Sequence, residues 1–208
     1  MSNHVTETEW LNGPPRRTVV KVRQLKNERS RLLSLCALFG LYRHQLTRPT
    51  FAAAIDLMER FADAQVGDGH WNRAMGLIKD FDWSAESLST NELHDLRWIA
   101  DCFLAPADAD GHYRMPMLKA STAAANLLRD IFGNPFHPIS FSPEWRTSDV
   151  VSIAQSMYET RDFSPMAILA DALQDAGCDH ECILAHCHDA NGVHVRGCWV
   201  VDLVLGKS

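Results

Sequence analysis

The stretch Ser164-Pro165-Met166-Ala167-Ile168-Leu169-Ala170-Asp171-Ala172-Leu173-Gln174-Asp175-Ala176-Gly177 decides the fold class. Its apolar residues Ile168, Leu169, Ala172, Leu173 and Ala176 recur at steps of three and four, the period of a helix with one buried face. Ser164-Pro165 reads as an N-cap followed by proline at the first helical position. Gly177 supplies the left-handed stop.

The same grammar extends outward in both directions. Ser148 or Asp149 can cap a helix carrying Val151, Ile153, Ala154, Met157 and Tyr158. Asp179 can cap a short helix to about Cys187, and Asn191-Gly192 is a turn. Cys198 to Leu205 is apolar apart from Asp202 and too short for periodicity to decide between helix and strand; the want of a nearby partner strand favours helix. Upstream, an alanine-rich helix runs through Ala123, Leu127, Leu128 and Ile131 to a stop at Gly133. Helices are also expected from Glu28 to Leu46, from Phe51 to Gln65, and through Trp71, Met75 and Ile78. A further one is expected from the caps Thr90 and Asn91 through Leu93, Leu96, Trp98 and Phe103, followed by a loop from Pro106 to Gly111. The expectation is a mainly α protein, a multi-helix globular bundle.

Its organisation follows from the breakers. Pro135, Pro138 and Pro143 make 134–145 an irregular connection, because proline removes a backbone donor and disfavours helix before it. This predicts an N-terminal helical subdomain over 28–133 and a C-terminal one over 134–208. Residues 1–27 read as a basic, partly ordered leader, broken at Asn12-Gly13-Pro14-Pro15, with a short strand considered at Val19, Val20 and Val22.

Composition bounds the function classes. The 208 residues are 46% hydrophobic and 22% charged, enough to build a core rather than a disordered chain. No apolar run approaches a membrane span, and Met1 to Trp10 lacks a signal-peptide core, so the expectation is a cytoplasmic protein with no membrane partner. The net charge of −6 argues against generic nucleic-acid binding. Yet Arg16, Arg17, Lys21, Arg23, Lys26, Arg29 and Arg31 face only Glu28 in the same span, so a basic arm could meet nucleic acid or an acidic partner. Phosphate-loop, dinucleotide, nucleophile-elbow and H-E-x-x-H motifs are absent. Asp108-Ala109-Asp110-Gly111 opens like a calcium loop but has Lys119 where the bidentate Glu belongs.

The anomaly is the C-terminus. Cys178, His180, Cys182, His186, Cys187, His188, His194 and Cys198 fall within one short stretch. Zinc takes four nitrogen and sulfur ligands in a tetrahedron, so pairs such as Cys182 with His186 and His194 with Cys198 could clasp one ion. Against this, buried cysteine is commonly a small hydrophobe, and no C-x-x-C occurs. Cysteine nucleophile chemistry, with Cys187 or Cys198 beside His186 or His194, would need a base in reach and a third group to orient it.

Leu127-Leu128-Arg129-Asp130-Ile131-Phe132-Gly133-Asn134-Pro135-Phe136, Ile168-Leu169-Ala170-Asp171-Ala172-Leu173 and His194-Val195-Arg196-Gly197-Cys198-Trp199-Val200-Val201-Asp202-Leu203 resemble segments of a paralogous family of uncharacterised planctomycete proteins. The resemblance covers residues 127–208 best and brings no activity. It implies counterparts of Cys178, His186, Cys187, His194 and Cys198, with an aliphatic residue in place of Cys182 and no His180 or His188. The candidate metal ligands are therefore Cys178, His186, Cys187, His194 and Cys198, with zinc as the ion. The leading expectation is a non-enzymatic helical protein–protein interaction module that needs no cofactor and has a protein partner or a second copy of itself. A zinc-binding domain and binding of nucleic acid or an acidic partner through the basic arm are the alternatives.

Overall fold

A computed structural model describes residues 4–22, 24–25, 27–41, 49–79 and 122–207. Every regular element among them is helical. The helices are α1 (Glu7–Asn12), α2 (Pro15–Val22), α3 (Glu28–Gly40), α4 (Pro49–Ala62), α5 (Asp68–Lys79), α6 (Thr122–Phe132), α7 (Ser148–Thr160), α8 (Met166–Asp175), α9 (Glu181–His188) and α10 (Trp199–Leu205), with a 3-10 turn over Pro143–Trp145. The expectations for the helix at 90–103, the loop at 106–111 and the calcium-like stretch fall outside the described residues.

The chain divides into two compact units, Met1–Leu128 and Arg129–Ser208. In the first, the segment 1–27 contains two helices. Thr6 caps α1 in a capping box: its hydroxyl accepts from the Glu9 amide and the Glu9 carboxylate accepts from the Thr6 amide at 3.0 Å. Gly13 ends α1, and Pro15 begins α2, where a missing N–H costs nothing. The strand considered at Val19–Val22 is instead the last part of α2. Part of the basic run is occupied within the fold. Arg17 reaches Glu9 at 2.8 Å, Arg29 reaches Asp63 at 3.0 Å, and Arg31 is buried. Leu32, Leu35, Cys36 and Phe39 on α3 are buried, with Phe39 edge-on to Phe51 at 5.1 Å.

The second unit places the site. Its core gathers Val150, Ala154, Met157 and Tyr158 from α7, Leu169, Ala170 and Leu173 from α8, Ile183 and Cys187 from α9, and Val200, Val201 and Val204 from α10. Cys198 to Leu205 resolves as expected, as a helix from Trp199. Three caps differ from expectation. The cap of α7 is Thr147, whose hydroxyl accepts from the Val150 amide, leaving Asp149 in the first turn where its charge suits the helix dipole. Pro165 flanks α8 rather than opening it, because Asp162 turns the chain by accepting from the Ser164 amide at 3.0 Å. His180, not Asp179, precedes α9, without a side-chain cap.

Gly177 performs as expected. At φ +85° it closes α8 in a Schellman motif: its own amide donates to the Gln174 carbonyl, and the Cys178 amide donates to the Leu173 carbonyl, each at 2.9 Å. The motif turns Cys178 inward. At the far end, Arg146 donates to the Val204 carbonyl at 3.0 Å and the Leu203 carbonyl at 2.7 Å, satisfying the last turn of α10. Gly206 then ends that helix in the left-handed region.

Candidate metal centre

Four side chains from four places in the second unit converge. Asp130 lies near the end of α6, His186 in the last turns of α9, His194 in the following loop, and Cys198 at the N-cap of α10. One donor atom from each lies within 4.8 Å of all the others.

Local sequence explains how each arrives. On α9, Ile183 and Cys187 fill the buried stripe, which puts His186 on its flank, partly covered. The chain then leaves α9 through an Asx turn: the Asn191 amide donates to the Asp189 carboxylate at 3.0 Å, and the Gly192 amide to the Asp189 carbonyl at 2.9 Å. A Cβ on Gly192 would lie 2.8 Å from Nε2 of His194, so a side chain there would press on that ring. Next, the Cys198 amide donates to the Val195 carbonyl at 2.9 Å across a turn whose third residue, Gly197, has φ +97°. That is the conformation of a type II turn, which glycine favours. It delivers Cys198, fully buried, to the start of α10.

Asp130 holds the group together. Its Oδ2 accepts from the Val195 amide at 3.0 Å, pinning the loop. Its Oδ1 lies 2.9 Å from Nδ1 of His194 and 3.2 Å from Nε2 of His186. Burial by itself would raise the Asp130 carboxyl, but hydrogen bonds from His186 and His194, and their charge, hold it below the ordinary carboxylate range. Burial, followed by the negative charge of Asp130, pushes the Cys198 thiol well above the usual thiol range.

The pattern of contacts differs from that of a nucleophile–base–orienter relay. Nε2 of His186 is 3.2 Å from Sγ of Cys198 and also 3.2 Å from Oδ1 of Asp130. Nδ1 of His194 faces the same two atoms, at 3.9 Å from Sγ and 2.9 Å from Oδ1. In a nucleophile–base–orienter chain, the thiol and the carboxylate address opposite nitrogens of one imidazole. Here each imidazole turns a single nitrogen to both.

A cation fits. Tetrahedral coordination with Zn–N and Zn–S bonds of roughly 2.0–2.3 Å puts ligand atoms roughly 3.3–3.7 Å apart; four of the pairs here are 2.9–3.9 Å apart, and all the donor atoms lie within 4.8 Å of one another. With a cation bound, Asp130 as carboxylate and Cys198 as thiolate would supply two negative charges, matching a divalent ion in a buried place where unpaired charge is costly.

Of the ligands expected from sequence, His186, His194 and Cys198 meet here. Cys178 and Cys187 lie in the apolar core, where burial raises both thiols, Cys187 to about 12. Cys182 is exposed on α9. Sequence reasoning missed Asp130, which is 64 positions before His194. The available signal was a lone acid on the buried face of a helix: Asp130 sits among Leu127, Leu128 and Ile131, all buried. Compared with known protein families, curated proteins and solved structures, the chain shows no significant match.

Proposed function

We propose that the C-terminal unit is a zinc-binding helical domain, with Asp130, His186, His194 and Cys198 as the four ligands and the ion in a structural role. The observation that carries this reading is the convergence of four donor atoms in which each imidazole turns one nitrogen to both the Asp130 carboxylate and the Cys198 sulfur. Two nitrogens, one sulfur and one carboxylate oxygen form a donor set that suits zinc, whose filled d shell imposes no geometry of its own. Four protein ligands complete a tetrahedron, whereas catalytic zinc keeps a position for water. The side chains of Asp130 and His194 are only 2% and 7% exposed, which supports a closed site.

The interaction-module reading has less behind it. The large apolar side chains exposed among the described residues are Leu11, Ile168 and Val193, which stand far apart in sequence rather than in a run.

Metal analysis of untagged full-length protein tests the proposal. It expects about one zinc per chain after exhaustive dialysis, as for a tight structural site. Zinc below roughly a tenth of an equivalent, with no uptake on adding zinc to the reduced protein, would overturn it.

A further inference from the structure

The ring of His186 packs against two other rings. It lies edge-on to His194 with centroids 4.8 Å apart, and it packs on the indole of Trp199 at 5.0 Å and a tilt of 52°. Trp199 is itself seated on Gly133. A Cβ built there would lie 3.1 Å from Cγ and 3.2 Å from Cδ2 of the indole. Gly133 also has φ +58°, and its amide donates to the Arg129 carbonyl at 2.9 Å, closing α6 one turn beyond Asp130. One glycine therefore ends the helix that bears a ligand and leaves the space in which the indole lies.

We infer that Trp199, seated on Gly133, is a positioning residue that fixes the imidazole of His186 for the ion. The inference rests on the zinc reading above. Its physical basis is that a histidine ligand must hold both its torsions for its lone pair to meet the metal. That restraint usually comes from a hydrogen bond on the other ring nitrogen. For His186 the contacts of the ring are aromatic faces, and the flat indole limits rotation by shape. Trp199 directly follows Cys198, so helix α10 brings a ligand and the wall behind another ligand into place together.

The test uses the full-length chain stripped of metal under reducing conditions. Zinc affinity is measured by competition with a chelating indicator, and cobalt(II) uptake by its visible absorption. Trp199→Leu keeps apolar bulk but loses the flat ring. It is expected to weaken zinc binding at least tenfold and to change the cobalt(II) ligand-field bands. Trp199→Phe keeps a flat face and should stay within about threefold of the wild type with the wild-type spectrum. Gly133→Ala, which displaces the indole without touching it chemically, should alter the same bands. Far-UV circular dichroism confirms that each variant is helical. The inference is overturned if Trp199→Leu binds zinc as tightly as the wild type with an unchanged spectrum, or if Trp199→Phe loses as much as Trp199→Leu. Wild-type protein that takes up neither metal would instead overturn the zinc reading, and this inference with it.

Discussion

Nδ1 of His194 and Oδ1 of Asp130 lie 2.9 Å apart although 64 positions separate them in the chain. The same carboxylate receives the Val195 amide through its other oxygen. Asp130 thus both joins the two imidazoles and anchors the loop that brings His194. Removing its charge disturbs both, whereas removing an imidazole disturbs only one.

Metal removal should therefore be felt by the whole second unit. At a free zinc concentration about 1,000 times Kd, binding adds about 4 kcal/mol to folding stability. For a chain of this size that corresponds to a fall in Tm of about 8–16 °C on chelation. Differential scanning fluorimetry with and without chelator, followed by readdition of zinc, measures it. A Tm that ignores both steps contradicts a structural ion.

Substitutions should sort the C-terminal cysteines and histidines into two classes. Asp130→Asn, His194→Ala and Cys198→Ser should each lower zinc content below half an equivalent under dialysis. Cys187→Ala and Cys178→Ala should keep full zinc while losing about 1 kcal/mol from the cavities they leave. Metal content and urea denaturation, measured on the same preparations, separate the classes. Loss of zinc from Cys187→Ala would place a core cysteine among the ligands.

Thiol reactivity should follow burial. Burial raises the Cys187 thiol to about 12, so at pH 8 it stays protonated as well as covered, whereas Cys182 is exposed. Pulsed alkylation of the native protein, read residue by residue by mass spectrometry, should modify Cys182 at least a hundredfold faster than Cys187. In denaturant the two rates should converge. Equal native rates would contradict the packing of α9.

Acid should weaken the N-terminal helix pair in a defined direction. The hydrogen bond from Arg17, followed by that from the Thr6 amide, holds the Glu9 carboxyl below its ordinary value of 4.5. A depressed carboxylate contributes stability that is present above its unfolded pKa and is lost as pH falls through the folded one. The contribution should fade below about pH 4.5. Glu9→Gln preserves the capping box but not the charge, so its stability should vary less with pH there. An identical slope for the two proteins would show that the pair adds nothing.

Gly177→Ala should cost about 1 kcal/mol, because φ +85° strains any residue with a Cβ. The expected fall in Tm is about 2–4 °C, and zinc content should be unchanged.

The sequence by itself determined the helical class and much of the site's raw material. Steps of three and four around Leu169 and Leu173 and the stop at Gly177 are local features, set by side-chain period and backbone freedom within a few residues. The concentration of His186, His194 and Cys198 in one short stretch was visible for the same reason. The caps were less legible: Thr147, Ser148 and Asp149 can all serve, and which of them does so depends on the path of the preceding chain. Only the tertiary structure decided the fourth member of the cluster and the sorting of the cysteines. Asp130 on α6 looks like any helical acid until the fold buries it against a loop 64 residues later. Cys187 and Cys198 are both buried, yet Cys187 shares a stripe with Ile183 and faces the core, while the turn at Gly197 aims Cys198 at two imidazoles. Residue type and spacing limit which atoms can reach a point, but the contacts of Asp130 with His186, His194 and the Val195 amide show which of them arrive.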